Sequence, residues 1–431
     1  MKLLAAAFLA LASVLARAEI SVAFPAERQR LPAVDQTYVI GAVDPGEAMV
    51  YVNGITTSVH RTGAFIQMVP VTAGENTLTV ACGASRLVRR FSVAKPGDGA
   101  AKPPPEITSD DSEHLEPAGA WRTTGSLFAN RVRAGIDDGD SIFYLPKGFV
   151  LRAAPVKGTE WAAVWLEGRR GYLQKARLEP VPGEKVPPKG LLAPDPAAGF
   201  PEKPPYGRPP SSVRICVDPG HGGSDSGSVA PHGWKEKDVN LMQARAIRDA
   251  LEHVGFQVIM TRDGDSFPSL LSRPQTAYDE RVDALISVHH NATAANRDPR
   301  AVRHTTTYAS TSNGLALARC IQKHVAQVMA PVTDAGAQMR SYAVCRNPAV
   351  PSCLIEVDFI NLPEGEEESW NPVRQKKVAD AVVLGVLDWM TPPPPRPLQL
   401  KHPPPRVEGK WSLSAVRVFL MDRTPEILYH S

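Results

Sequence analysis

Four side chains in the second half of the chain have the types that metal-assisted hydrolysis requires: His221, Glu236, His289 and Glu356. Two imidazoles and one carboxylate that leave a fourth position open make a catalytic zinc site, because the ion then keeps a water whose pKa falls toward neutrality. A second carboxylate, outside the ion's ligands, is needed to take that water's proton and hand it to a leaving amine. Two histidines and two glutamates supply the whole set. The run DPGHGG adds Gly220, Gly222 and Gly223 around His221, where the backbone can bend sharply and leave room for a bulky ligand.

The elements that must position these groups can be read from apolar periodicity. An apolar strand over 213–217 leads into the DPGHGG turn, and a second strand covers 256–261. Between them Val239, Met242, Ala246, Ala250 and Val254 recur at helical spacing, with Gly255 suited to end the helix, so Glu236 falls just before or within its first turn. Strands alternating with helices predict an α/β domain with a mostly parallel sheet flanked by helices. In such sheets ligands gather beyond the carboxyl ends of the strands. His221 follows the first strand, His289 closes the run 284–288 and Glu356 ends the run 352–355, so all three are directed to one edge. Successive strand side chains point to opposite faces, so only one of His289 and His290 can face a metal there. His232, in the loop PHGWKE close to Glu236, could approach substrate but reads more readily as a solvated loop histidine, and Arg273 reads as an anchor between helix and loop rather than a substrate contact.

The segments VDPGHGGSDSG, GWKEKDVNL, TRD, LLSRPQTAYDERVDALISVHHNA and PSCLIEVDF, in this order, closely resemble the zinc-dependent N-acetylmuramoyl-L-alanine amidases of α/β fold, over nearly all of 213–390. The resemblance implies that His221, Glu236 and His289 are Zn2+ ligands and that Glu356 is the general base and acid. It also selects His289 over His290. The implied reaction is cleavage of the amide between N-acetylmuramic acid and L-alanine in peptidoglycan. The chain departs from the family pattern at Asp358-Phe359 and Asn361-Leu362. A carboxylate at 358 either sits near Glu356 and raises its pKa by like-charge repulsion or points away and caps the next turn. The short polar stretch after His289 leaves no space for the occluding helix that some relatives insert elsewhere. Two other readings share these features: a catalytically inactive wall-binding or regulatory protein, and a zinc peptidase acting on stem-peptide bonds.

The rest of the chain is modular, as 431 residues are too many for one core. Lys2, an apolar run over 3–15 and Ala16-Arg17-Ala18 predict a secretory signal peptide, 1–18, too short to span a bilayer, where roughly 20 apolar residues are needed. Proline-rich linkers are expected at 97–120 and 181–210, and a C-terminal tail of no legible role at 392–431. Residues 19–96 alternate in short apolar runs with Asn53-Gly54 as a hairpin signal, which predicts a β-sandwich. VYVNGITTSV and GAFIQMVPVTAGENTLTV there resemble immunoglobulin-like modules. VRAG, YLPKGFVLRAAP and EWAAVWLEGRRGYL, within 121–180, are similar to bacterial SH3-like β-barrel domains, which implies wall association. Trp161 and Trp165, on one strand face, either offer a stacking surface or are half-buried in the barrel. The amidase domain is assigned to 211–391.

A formal charge of +3 with scattered basic residues gives no case for nucleic acid. Export to the periplasm or cell envelope, with peptidoglycan as partner and no stable membrane insertion, follows from the signal peptide and the resemblance. The sequence names no protein activator. Of the five cysteines, Cys345 and Cys353 could pair across a proline-containing stretch, whereas Cys216 reads as a buried small hydrophobe.

Overall fold

A computed structural model describes residues 18–44, 49–98, 114–136, 139–185 and 204–391. The expected signal peptide up to residue 17, the middle of both proline-rich stretches and the whole tail lie outside the described residues.

Alternation of buried and exposed side chains makes the first module a pair of packed sheets. Glu19–Phe24, Gln36–Asp44 and Ala64–Pro70 form one; Arg30–Leu31, Ser85–Val93, Gly74–Cys82, Val50–Val52 and Ile55–Thr57 form the other. Val39 and Phe65 from the first meet Val52, Leu78, Val80 and Phe91 from the second in a common core. Asn53 and Gly54 take φ of 48° and 81° in the two-residue turn that sets Val52 opposite Ile55. The second module is a seven-stranded antiparallel sheet around Phe143, Phe149, Leu151, Val164 and Leu173. Trp161 and Trp165 are half-buried there, each with an arginine over its ring, Arg133 at 5.4 Å and Arg152 at 5.8 Å.

The third module is a six-stranded sheet flanked by helices. Its strands are β1 (Arg214–Pro219), β2 (Gln257–Met260), β3 (Ala284–Asn291), β4 (His304–Ala309), β5 (Thr333–Met339) and β6 (Ser352–Phe359), in the order β2-β1-β3-β6-β4-β5. All neighbours pair parallel except β4 and β6, which pair antiparallel. The helices are α1 (Glu236–Val254), α2 (Ser272–Asp279), α3 (Ser312–Met329), α4 (Pro363–Ser369) and α5 (Pro372–Met390). Both faces of the sheet are covered, so its central strands are buried almost without a break. Ile215, Val217, Ile286 and Ile355 pack against Ile247 of α1, Ile321 of α3 and Val382 of α5. Cys216, Leu285 and Leu354 point the other way, to Ala277 of α2 and to Val344 and Val350. Each such buried aliphatic side chain contributes about 1.5–3 kcal/mol.

Helix α1 starts at Glu236 and stops where Gly255 turns left-handed, φ 103°; the Gly255 and Phe256 N–H groups donate back to the Glu252 and Leu251 carbonyls. All five cysteines are free thiols. Cys345 and Cys353 do not pair, because Cys345 packs on the α2 face of the sheet whereas Cys353 points to the α1 face.

The first β module rests on loops that leave the carboxyl ends of β3 and β6, and the second on segments that follow β4 and β5, which run antiparallel to β6 and end at the opposite edge of the sheet. Tyr38, Ile40 and Ile66 pack on Phe359 and Leu362, just beyond β6, and the Tyr38 N–H donates to the Ala295 carbonyl beyond β3. In the second module the Tyr144 N–H donates to the Arg346 carbonyl, and Glu167 accepts from the Ser312 N–H and hydroxyl at the start of α3. Among the described residues no helix is long and apolar enough to cross a membrane.

Candidate metal and acid-base site

His221 sits in the turn after β1, His289 near the carboxyl end of β3 and Glu356 in the carboxyl half of β6, which runs on to Phe359, and α1 begins beside them with Glu236. Parallel pairing of β3 with β6 places His289 and Glu356 directly opposite one another. The Nε2 of His221 and the Nδ1 of His289 each lie 3.1 Å from the same oxygen, Glu236 Oε1, and the two rings meet edge to face at 4.9 Å. One ligand atom from each of His221, Glu236 and His289 lies within 4.8 Å of the others, a spacing that suits a single metal ion. Glu356 lines the same cavity, about 560 Å³, and its Oε2 is buried with no hydrogen-bond partner among the described residues.

The backbone is built to let these groups approach. A Cβ on Gly220 would overlap the His289 imidazole, and one on Gly227 would lie 2.6 Å from Glu236 Oε2 and 2.7 Å from the His221 ring. His221 itself has φ 60°, a strained setting for a residue with a side chain. Two buried guanidiniums hold it there. Arg273 donates to the Pro219 and His221 carbonyls, Arg262 to those of Pro219 and Gly220.

Electrostatics divide the two glutamates. Burial works against the Glu236 carboxylate, but hydrogen bonds from the two imidazoles outweigh it and hold its pKa well below the usual range. Burial, then the charge of Glu236, push the Glu356 carboxyl well above that range. Burial also opposes a proton on His221, yet Glu236 and Asp225 raise it to about 9. His290 is driven by burial down to about 4, so it is neutral; its Nδ1 faces Asn240 Oδ1 at 2.9 Å, on the α1 side of the strand and away from His289.

A family model described as N-acetylmuramoyl-L-alanine amidase (Amidase_3) matches residues 215–388. The chain is 30% identical over 172 residues to the uncharacterized protein YqiI of Bacillus subtilis, covering 82% of that protein and 40% of this chain. This chain belongs to the amidase family. It is also 31% identical over 187 residues to the probable cell wall amidase LytH of Staphylococcus saprophyticus, a match over 43% of this chain that spans only 61% of LytH's length. Among solved structures, N-acetylmuramoyl-L-alanine amidase AmiC2 of Nostoc punctiforme is 29% identical, covering 41% of this chain and 97% of that one at a TM-score of 0.39.

Within the amidase domain several site residues escaped the motif reading. Asp225 accepts from His221 Nδ1 at 2.8 Å, which fixes the ring and leaves Nε2 for the cluster. Asn240 donates to Glu236 Oε1 and holds His290, and the Ser228 N–H donates to Glu236 Oε2 at 2.9 Å. Asp225 and Ser228 follow directly on the DPGHGG turn, and Asn240 is one helical turn beyond Glu236; that spacing was the available signal. Asp358 points away from Glu356, and its Oδ1 accepts from the Phe359 N–H at 2.7 Å just before the turn that follows β6. It forms a bidentate ion pair with Arg303, at 2.7 and 2.9 Å, and the charge acting on Glu356 is that of Glu236. His232 is not a solvated loop histidine: it lies between the Glu366 carboxylate at 2.8 Å and the Thr62 carbonyl of the first module at 3.0 Å.

Proposed function

We propose that the protein is an exported, zinc-dependent N-acetylmuramoyl-L-alanine amidase that acts on peptidoglycan, with His221, Glu236 and His289 holding the ion and Glu356 moving the proton. The observation that carries this reading is the convergence of two imidazole nitrogens on Glu236 Oε1 beside the unpartnered, buried oxygen of Glu356. The donor set suits zinc: ligand atoms about 2.0–2.2 Å from a tetrahedral ion lie about 3.4 Å from one another, and two imidazoles with one carboxylate leave a fourth position open. Bound there, zinc supplies Lewis acidity toward the amide carbonyl and a water acidified to near neutrality.

The chain's own groups do the remaining work. Asp225 keeps the His221 ring turned, and the Gly220 and Gly227 backbones let both imidazoles close on Glu236. Glu356 accepts a proton from the attacking water as its oxygen adds to the lactyl carbonyl carbon. The same carboxyl then returns the proton to the amide nitrogen as the C–N bond breaks. The products are a free lactyl carboxylate on the glycan and a stem peptide with a free L-alanine amine.

The remaining assignments belong to this proposal. Residues 19–96 are an immunoglobulin-like module and 121–180 a bacterial SH3-like domain, joined by the spacers 97–120 and 181–210, with 1–18 as signal peptide. The name of LytH, a probable cell wall amidase, supports action at the cell envelope, in the periplasm where there is one.

Incubation of purified sacculi with the protein, followed by mass spectrometry, tests the reaction. The expected products are intact stem peptides beginning at L-alanine and peptide-free muramic acid, lost on chelation and restored by zinc. Fragments cut within the stem peptide would show a peptidase instead. Glu356→Gln is expected to keep the bound zinc and lose roughly 10²–10⁴-fold in kcat; turnover at the parent rate would remove Glu356 from its role.

A further inference from the structure

A cavity of about 480 Å³ opens where the first module meets the amidase domain, lined by Thr62, His232, Trp234, Glu366, Trp370 and Asn371, among others. Its wall is largely aromatic. The Trp234 and Trp370 rings meet at 4.5 Å and 59°, and the His232 ring lies 5.7 Å from that of Trp234. Trp370 packs on Ala230, Val239 and Ile360, which anchors the pair, while Trp234 remains 43% exposed. An indole braced by its neighbours yet open to solvent is a preformed apolar platform for a ligand.

Charge selects the class of ligand. The carboxylates of Glu366 and Glu367 on this wall oppose an acidic peptide. Both are also paired already, Glu366 with His232 at 2.8 Å and Glu367 with Arg61 at 2.8 Å, so the cavity does not call for a cation. A neutral ligand with an apolar face and hydrogen-bonding edges fits. A pyranose ring has both: its C–H groups pack on an indole, and its hydroxyls reach the acceptor positions that a carboxylate retains beyond its first bonds. A short hairpin ties this cavity to the catalytic one. At its base the Glu236 N–H donates to the Ser228 carbonyl, and both residues line the cavity of His221 and His289. Further along, Val229 bridges Lys235 and the Ala230 N–H donates to the Trp234 carbonyl. Two residues at a rise of 3.2–3.4 Å put Trp234 about 7 Å along the hairpin from that base, a step that neighbouring rings of one sugar strand cover.

From this arrangement we infer that the aromatic cavity is a glycan subsite: Trp234 stacks on a neutral N-acetylglucosamine ring of the strand that carries the muramic acid whose amide lies at Glu356. The inference deepens the amidase reading and rests on it. Its consequence is a preference for length. Strands that reach both cavities are held better than a single muramoyl peptide. The first module takes part, because Thr62 lines the cavity and its carbonyl lies 3.0 Å from His232 Nε2.

Titration calorimetry of the full chain with a tetrasaccharide of N-acetylglucosamine, and with a tetrapeptide beginning in L-alanine for comparison, tests this without any turnover. Trp234→Ala is expected to weaken binding of the tetrasaccharide about tenfold or more, and Trp234→Phe, which keeps a ring, to weaken it much less. Thr62→Arg, whose long side chain would fill the cavity from an exposed position, is expected to give a similar loss and serves where Trp234→Ala fails to fold. A parent that does not bind the tetrasaccharide, or folded Trp234→Ala and Thr62→Arg proteins that bind it as tightly as the parent, overturns the subsite. So does a tetrapeptide that binds through Trp234 in its place. On a glycan strand bearing stem peptides, Trp234→Ala is expected to raise KM about tenfold, and the rise should shrink as the strand is shortened to one muramic acid. A parent that binds the tetrasaccharide through Trp234 but releases no stem peptide would sink the amidase reading and leave the subsite standing. A parent that releases stem peptides while Trp234→Ala binds the tetrasaccharide undiminished would do the reverse.

Discussion

At the sheet edge, Glu236 Oε1 stands 3.1 Å from two imidazole nitrogens in a setting where neighbouring backbone admits no extra methyl group. At the seam with the first module, Arg61 reaches Glu367 at 2.8 Å with three-quarters of its side chain in solvent. Both are polar contacts of similar length, and they differ in what surrounds them. The centre is over-determined: each group is held by a second one, Asp225 for His221, Asn240 for Glu236, and the Arg262 and Arg273 guanidiniums for the turn carbonyls. The seam is held by an apolar patch of Tyr38, Ile40, Ile66, Phe359 and Leu362 and by His232 between the buried Glu366 carboxylate and the Thr62 carbonyl, with the Arg61–Glu367 ion pair at its exposed rim. Buried polar geometry therefore carries chemistry at the centre, and exposed polar geometry at the seam carries little energy.

The largest effect is expected where the centre's support is charged and buried. Arg273 pairs with Asp218 at 2.7 Å, and both are almost wholly buried. Arg273→Met leaves the Asp218 carboxylate without its partner, a loss of about 3–5 kcal/mol that denaturant titration would read directly. Adding Asp218→Asn should recover part of it, since the stranded charge is then gone. A folded Arg273→Met protein as stable as the parent would mean that this pair does not support the turn.

Within the centre, a smaller effect than that of Arg273→Met is expected from Gly220→Ala. Its Cβ would overlap the His289 ring, so the imidazole must move away from Glu236 or the turn must shift. Overpacking of this kind costs about 1–3 kcal/mol. Zinc affinity should fall at least tenfold with it, as measured by competition with a chelating dye. Asp225→Asn is gentler, because the amide keeps a contact with His221 but loses the charge. A tenfold to hundredfold loss of zinc affinity is expected, with the melting curve of the apo protein little changed.

The same contrast explains what could be read before any coordinates. The strands that present His221, His289 and Glu356, and the helix that begins at Glu236 and ends at Gly255, follow from periodicity within short windows of sequence, although the last strand runs past Glu356 to Phe359. Contacts between distant segments do not. Arg273 lies 55 residues from Asp218, and Arg303 lies 55 from Asp358, so nothing local marks either pair. Asp358 could be placed beside Glu356 by strand alternation, but its partner could not. The wrong pairing of Cys345 with Cys353 has the same origin, since proximity along the chain says nothing about opposite faces of a sheet. His232 was misread because its neighbours, Glu366 and Thr62, come from other parts of the molecule.

The smallest expected effect tests the seam. Arg61→Ala removes hydrogen bonds of 3.2 and 2.8 Å to Glu367, yet a solvent-exposed pair gains modest Coulomb energy and must hold a long side chain in one geometry. The melting temperature is expected to be indistinguishable from the parent's at physiological salt, where screening is strong. The apolar patch beneath should behave differently: Ile66→Ala deletes a buried side chain between Tyr38 and Phe359 and is expected to cost about 2–5 kcal/mol, read as earlier unfolding in a denaturant titration. A clear loss of stability in Arg61→Ala that vanishes at high salt would break the comparison, for the seam would then be held by charge as the centre is.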